Sequence, residues 1–310
     1  MTRSISPRAA RSVAAASAAR GSGRRRRPVI GLALGGGGAL GIAHIGVIRV
    51  LEENGIVPDL VTGTSIGSIV GAAYVFGKLD EVEAQLQSMT LLEMMKLADI
   101  QLWKSGLLGG DAIVRQIRKH IGIATFAEAD RPFAVVAADI AHDEEVILHQ
   151  GDVAAAIRAS ISLPGIFTPV LDHGRVLIDG GMKDPVPVSV ARQMGAELVI
   201  AVDVTGDFAG QAAASGIIPG SRLRTGILEV VTVAFAMVMK ELALARNLLH
   251  PPDVLMTPAI GHIKQYAFDR GGELIAAGRE AATAALPAIE AALARPAASD
   301  PGDGGRAAGA

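Results

Sequence analysis

The sequence of 310 residues predicts an α/β fold, with three αβα layers around a mostly parallel central sheet. Two observations carry this prediction. Residues 29–34 form an apolar run followed by glycines and a helical pattern, and residues 58–61 form a second apolar run followed by another glycine turn and helix. Short buried strands that alternate with helices are typical of a parallel sheet covered on both faces. Because only 3% of the residues are aromatic and 50% are hydrophobic, we expect a core of aliphatic side chains.

The remaining elements follow the same alternation. Further strands are expected at 132–140, 144–149, 175–178 and 197–204, the second of them as the hairpin partner of the first. Helices are expected at 42–54, 78–120 with a break at 106–110, 151–160 capped by Asp152, 227–249, and 269–294 interrupted at Pro287. Residues 206–226 are rich in Gly, Ala and Ser and are predicted to be a mobile loop. We interpret 227–249 as a core-packing helix, with a lipid-facing helix as the alternative.

The charges divide the chain into a basic tail and an acidic body. Residues 1–27 hold eight arginines and no acid, whereas the rest holds 21 basic and 31 acidic residues. We expect a disordered basic tail at 1–28, one folded domain at 29–290 and a flexible tail at 291–310. An export signal is not expected, because its cleavage would remove the glycine run. Contact of the arginines with an anionic membrane surface is the alternative role for this tail.

Composition also excludes several classes of function. The chain has no cysteine, which excludes disulfides, thiolate metal sites and a cysteine nucleophile. An acidic body disfavours nucleic acid as a partner. We expect a cytoplasmic protein, with peripheral membrane contact as an option, and no cofactor or metal; the oligomeric state is not indicated. Asp139, His142, Asp143 and Glu144 form a cluster that we interpret as a solvated hairpin turn rather than a metal site.

Three glycine-bearing turns carry the candidate chemistry, and each follows a predicted strand. Gly63-Thr64-Ser65-Ile66-Gly67 fits a sharp strand-to-helix turn that presents a serine hydroxyl at a helix N-terminus. Residues 35–41 offer consecutive backbone N–H groups, which suit a phosphate or the oxyanion of an acyl-transfer intermediate. Asp179-Gly180-Gly181 places a carboxylate on a tight turn.

These three motifs resemble those of the patatin-like phospholipases, especially the bacterial group similar to the catalytic domain of neuropathy target esterase. The stretches GGGGALGIAHIGV at 35–47, GTSIGSIVGA at 63–72 and DGG at 179–181 carry the resemblance, which covers about residues 29–290. It implies hydrolysis of lipid acyl esters through an acyl-enzyme, in the manner of a phospholipase or lysophospholipase. The implied roles are nucleophile for Ser65, general base for Asp179, oxyanion donors for Gly36, Gly37 and Gly38, and motif glycines for Gly41, Gly63, Gly67, Gly180 and Gly181.

Two details of the chain bear on this resemblance. The family normally carries Arg or Lys where this chain has Leu40. An ordinary Asp is a poor base for a serine hydroxyl, because its pKa lies far below that of the hydroxyl. Burial against Ile66, Val170 or Ile178 would raise the pKa of Asp179.

Three alternatives remain open. Gly36-x-Gly38-x-x-Gly41 after a strand also fits a dinucleotide-binding fingerprint, with Asp59 at a suitable distance for the ribose. A Ser-Asp-His triad is the second alternative, with His250 or His262 as the histidine. A non-catalytic lipid-binding or regulatory protein is the third.

Overall fold

A computed structural model describes residues 27–88, 111–122, 124–206, 208–216 and 226–295. These residues form one eight-stranded mixed sheet in the order β5-β6-β3-β2-β1-β7-β8, with β4 also paired to β3. The strands are β1 (Ile30–Leu34), β2 (Leu60–Thr64), β3 (Phe133–Asp139), β4 (Glu144–Leu148), β5 (Val170–Asp172), β6 (Arg175–Asp179), β7 (Leu198–Val202) and β8 (Val254–Met256). Pairing is parallel from β3 through β2, β1 and β7 to β8, and antiparallel among β3, β4, β5 and β6.

Helices connect most of these strands. They are α1 (Ala43–Glu53), α2 (Ile66–Val75), α3 (Leu79–Ser88), α4 (Asp111–Ile121), α5 (Val153–Ser160), α6 (Val188–Gln193), α7 (Phe208–Ala214), α8 (Ile227–Leu249) and α9 (Gly271–Ala294). Short 3₁₀ turns precede α1 at Gly38–Ile42 and follow β6 at Gly180–Met182. None of the helices within the described ranges is long and apolar enough to cross a membrane.

The core lies on both faces of the sheet, which confirms the predicted three layers. Along β1, Ile30, Leu32 and Leu34 join the cluster that includes α1, α2 and α9, whereas Ala33 joins a second cluster with α6 and Ala243 of α8. This alternation follows from the two-residue period of a strand. Strands buried on both faces read as continuous apolar runs, which is why the parallel strands were recognisable in the sequence.

The arrangement around β3 brings two distant strand ends together. The last residue of β2, Thr64, pairs with Val136, and the last residue of β6, Asp179, pairs with the adjacent Ala137. Strand β4 pairs with residues 135–139 and so occupies the other edge of β3. Therefore β2 and β6 approach each other end to end along one edge of β3. Ser65, which follows β2, and Asp179, which ends β6, become neighbours.

Most predicted elements are confirmed, with two corrections. The stretch predicted as a loop at 206–226 contains helix α7, and the predicted interruption at Pro287 is absent because α9 continues through this residue. Helix α9 packs closely on α1, where a Cβ on Gly46 would lie 2.0 Å from the Ile275 carbonyl oxygen. Packing over the whole helix length outweighs the local cost of one proline. The predicted break at 106–110 and both tails up to residue 26 and beyond residue 295 lie outside the described residues.

Candidate active site

Ser65 occupies the turn between β2 and α2 and has a backbone conformation that few non-glycine residues adopt. Its φ is 53° and its ψ is −124°. A positive φ costs free energy for a residue with a Cβ, so the surrounding fold must impose it. Ser68 Oγ donates to the Ser65 carbonyl oxygen at 2.5 Å, and the side chain of Ser65 lies at the positive end of the α2 dipole.

Asp179 lies directly beside this serine. Ser65 Oγ donates to Asp179 Oδ2 at 2.7 Å, and the Gly181 N–H donates to Asp179 Oδ1 at 2.8 Å. The two side chains come from residues 114 positions apart in the chain. Both carboxylate oxygens therefore have a donor, and the acceptor nearest to the serine proton is a carboxylate rather than an imidazole.

Burial changes the acidity of Asp179. Its side chain belongs to a residue that is 2% exposed, and loss of hydration raises its pKa from 3.8 to about 6. The hydrogen bonds from Ser65 and Gly181 oppose this increase by stabilising the charged form. The expected increase in basicity is thus present, and the carboxylate remains mostly ionised at neutral pH.

Ser160 orients the turn that carries Ser65 and was not identified from the sequence. The Ser65 N–H donates to Ser160 Oγ at 2.8 Å, and Ser160 Oγ donates to the Val136 carbonyl oxygen at 2.6 Å. Ser160 is fully buried at the end of α5. A buried hydroxyl that both accepts and donates fixes the Ser65 backbone relative to β3. A serine at a helix end carries no sequence signal for such a role.

The glycine loop offers two N–H groups rather than three. The structure corrects the assignment of Gly36, because its N–H already donates to the Pro185 carbonyl oxygen at 2.9 Å. Within the described chain, the N–H groups of Gly37 and Gly38 have no backbone acceptor. Gly38 has a φ of 59°, and a Cβ on it would lie 2.4 Å from the Gln265 carbonyl oxygen, so only glycine fits this position.

The segment after Asp179 joins the three motifs. The Asp184 N–H donates to the Gly180 carbonyl oxygen, and the Asp184 carbonyl oxygen accepts from Thr64 Oγ1 at 2.8 Å. Arg246 of α8 binds the buried Asp184 carboxylate at 2.8 Å and also contacts Glu145. This network connects α8 to the turn that carries the Asp179 motif. The contacts of Asp184 with Thr64 and Arg246 were not identified from the sequence, because each of these pairs is distant along the chain.

The motif glycines permit close backbone packing between the three turns. In each case an added Cβ would lie within 3 Å of a neighbouring atom, which a real side chain would not tolerate. The nearest atoms are Ile66 Cγ2 for Gly41, the Gly67 carbonyl oxygen for Gly63, the Leu34 carbonyl oxygen for Gly67, the Val136 carbonyl oxygen for Gly180 and Met239 Cε for Gly181.

Two buried residues of the glycine motif, His44 and Leu40, stabilise the glycine loop. His44 Nε2 lies 2.7 Å from the Gly35 carbonyl oxygen, and burial lowers the pKa of His44 to about 4. Because a carbonyl can only accept, Nε2 carries the hydrogen and the neutral ring holds the loop. Leu40, where the family carries a cation, is fully buried in the apolar core. Leu40 therefore serves packing, and this chain has no cation at the position where the family carries one.

The residues that the dinucleotide-binding and Ser-Asp-His alternatives require lie outside the site formed by Ser65 and Asp179. Asp59 precedes β2 at the end of the sheet opposite the glycine loop, where it binds Arg27 and the Ile30 N–H. His262 pairs with Glu273 at 2.7 Å and is 58% exposed, and His250 is exposed at the end of α8.

The Asp139 cluster forms a turn. Asp139 accepts from the Ala141 N–H and contacts His142 at 2.6 Å, while Asp143 binds Lys183. These contacts are those of the hairpin turn between β3 and β4 that the sequence indicates.

Comparisons with known proteins point to one family. Residues 32–192 match the family model described as patatin-like phospholipase. The chain is 38% identical over 185 residues to an uncharacterized NTE family protein of Mycobacterium bovis, a match that covers 60% of this chain and 51% of the relative. It is 36% identical over 183 residues to lysophospholipase NTE1 of Yarrowia lipolytica, which covers 56% of this chain and 12% of the relative.

The chain therefore spans about half the length of the mycobacterial relative and a small part of the yeast one. Among solved structures, VipD from Legionella pneumophila matches with a TM-score of 0.44 and 14% identity, over 86% of this chain and 67% of VipD. The assignment consequently rests on the family model, which spans more than half of the chain and contains the glycine loop, Ser65 and Asp179. The chain belongs to the patatin-like phospholipase family.

Proposed function

We propose that this protein is a lipolytic serine hydrolase that cleaves acyl esters with Ser65 as nucleophile and Asp179 as general base. The observation that carries the proposal is the 2.7 Å hydrogen bond from Ser65 Oγ to Asp179 Oδ2. A nucleophile and base in direct hydrogen-bond contact, at the N-terminus of a helix, fulfil the geometric requirement for acyl transfer. The family match and the relative named lysophospholipase support the same reaction class.

In the first half of the reaction, Ser65 Oγ attacks the carbonyl carbon of the ester while its proton moves to Asp179 Oδ2. The resulting tetrahedral intermediate collapses, the bond to the leaving alcohol breaks, and that alcohol takes the proton from Asp179. In the second half, water gives a proton to Asp179 and attacks the acyl-enzyme. The second tetrahedral intermediate then collapses and releases the carboxylic acid, and the proton on Asp179 returns to Ser65 Oγ. The pKa of about 6 makes Asp179 a stronger base than an exposed Asp.

The charge on the intermediate needs hydrogen-bond donors. We assign this role to the N–H groups of Gly37 and Gly38, since the N–H of Gly36 is already bound to Pro185. The N-terminus of α2 adds a favourable dipole at the same place. Donors held in position before the reaction lower the barrier because they need no reorganisation when the charge develops.

The test is hydrolysis by the purified protein. It should cleave p-nitrophenyl acyl esters and at least one lysophospholipid or phospholipid from a panel that varies chain length and head group. A fluorophosphonate probe should label it, and peptide mass spectrometry should locate the label on Ser65. A non-catalytic lipid-binding protein is the second candidate. Lipid binding without labelling or hydrolysis would support that candidate and contradict the enzyme.

We further propose that α8 makes peripheral contact with lipid surfaces through its outer face. Apolar side chains that are 40–85% exposed follow this face at helical spacing: Val230, Val231, Met237, Val238, Leu244, Leu248 and Leu249. The inner face packs against the site through Met239. The helix interpreted as core-packing is therefore buried on one side only, and an exposed apolar stripe this long favours an interfacial role.

Leu244→Asp should weaken binding to phosphatidylcholine vesicles containing phosphatidylglycerol by about tenfold, because it places a charge in the apolar stripe. Leu171→Asp is the matched control, since Leu171 is 80% exposed and belongs to β5 rather than to α8. Co-sedimentation measures both variants. Equal binding by the two variants would contradict the assignment of α8.

A further inference from the structure

Met239 of α8 lies where this helix crosses the candidate dyad, and the residue is 1% exposed. A Cβ on Gly36 would lie 3.0 Å from Met239 Cε and 3.2 Å from Ser65 Cβ. A Cβ on Gly181 would lie 2.6 Å from Met239 Cε and 3.0 Å from Asp179 Oδ1. One terminal methyl group thus fills the space between the glycine loop, the serine and the carboxylate.

The apolar thioether of Met239 limits the hydration of the Asp179 carboxylate. Asp179 already receives one hydrogen bond on each oxygen, from Ser65 and from Gly181. An apolar group that packs against the same turn keeps water away from the remaining lone pairs of the carboxylate. We propose that Met239 is a positioning residue that shields the Asp179 carboxylate from bulk water and keeps it desolvated. This inference rests on the proposed function, because it assigns the origin of the dry environment of the base.

Charged groups near Asp179 do not account for its raised pKa. Loss of hydration is the largest cause of its raised pKa, and the opposing causes are the hydrogen bonds from Ser65 and Gly181. Charged groups on the surrounding elements have partners of their own. These pairs are Asp139 with His142, Arg158 with Ser162 and Thr168, Lys183 with Asp143, Asp184 with Arg246, and Lys240 with Glu241.

The experiment compares Met239→Gln with Met239→Leu. Gln keeps the length of Met but brings a polar amide and water to Asp179, whereas Leu keeps the apolar surface. Met239→Ala should also admit water, because the shortened side chain leaves a cavity beside Asp179. Met194→Ala is the matched control, since Met194 is a second buried methionine, 3% exposed, that follows α6. Ester hydrolysis and the rate of fluorophosphonate labelling are measured across the acid range, with circular dichroism to select folded variants.

The wild type should lose activity as the pH falls through about 6, where Asp179 becomes protonated. In Met239→Gln and Met239→Ala the midpoint should move about one pH unit lower, because hydration returns the pKa of Asp179 towards its ordinary value. The kcat on the plateau should fall several-fold with little change in KM, since a weaker base acts in the chemical step. Met239→Leu and Met194→Ala should keep the wild-type midpoint.

Two results would overturn the inference: an unchanged midpoint in whichever of Met239→Gln and Met239→Ala folds, or an equal shift in Met239→Leu. The failure of the proposed function is distinguishable from both. In that case the wild type itself shows neither labelling nor hydrolysis at any pH. A wild type that is labelled, combined with an unchanged midpoint in the variants, contradicts Met239 alone.

Discussion

Asp179→Asn is expected to lower kcat for ester hydrolysis by about a thousandfold, because an amide cannot take the proton of Ser65 Oγ. The amide has nearly the shape of the carboxylate, and its oxygen can still accept from the Gly181 N–H. We therefore expect KM and the thermal unfolding temperature to change little. Steady-state kinetics with a p-nitrophenyl ester, together with thermal denaturation, measures all three quantities.

The control for this prediction is His262→Ala. His262 contacts Glu273 in the structure, so its replacement should leave kcat within about twofold. His250→Ala serves the same purpose at the end of α8. Near-normal activity in Asp179→Asn, accompanied by loss in either histidine variant, would mean that a triad operates and that Asp179 is not the base.

Ser65→Ala is expected to abolish labelling by the fluorophosphonate and to lower kcat by a factor on the order of 10⁵. The other hydroxyl of this turn, that of Thr64, donates to the Asp184 carbonyl oxygen instead. The variant keeps the Cβ and hence the unfavourable φ of 53°. Residual hydrolysis above this level, with a label elsewhere in the chain, would contradict the assignment of the nucleophile.

Ser65→Gly is the companion variant. It is equally inactive by this argument, but it removes the cost of a Cβ at positive φ. Ser65→Gly should therefore unfold at a higher temperature than Ser65→Ala, with a difference in the free energy of unfolding of about 1 kcal/mol. Equal stability of the two variants would show that the turn is not strained.

The central sheet could be predicted because its parallel strands are buried on both faces and stand out as short apolar runs. Strands β1 and β7 are examples. The short strands β5 and β8 have three residues each and escaped prediction, since such runs carry little periodicity. Helix α7 was predicted as loop because the stretch 206–226 contains several Gly and Ser residues, whose low helix propensity masked that of the alanines.

The candidate site was predictable where its chemistry depends on local sequence. A strained turn needs glycines nearby in the chain, and so Ser65, the glycine loop and Asp179 carry motifs. The supporting contacts depend on the tertiary fold. Ser160 reaches the Ser65 N–H across 95 residues, and Met239 comes from a helix that has no motif. The unavailability of the Gly36 N–H likewise follows from a distant carbonyl, that of Pro185.

The end-to-end meeting of β2 and β6 on β3 also concerns how the chain acquires activity. The two halves of the candidate dyad are 114 residues apart, and the ladder between β3 and β6 sets their spacing. A contact of such high sequence separation requires a large loop to close before it forms. A nascent chain that has not yet completed β6 therefore lacks the carboxylate beside its serine. The proposed reaction therefore requires that the ladder between β3 and β6 has formed.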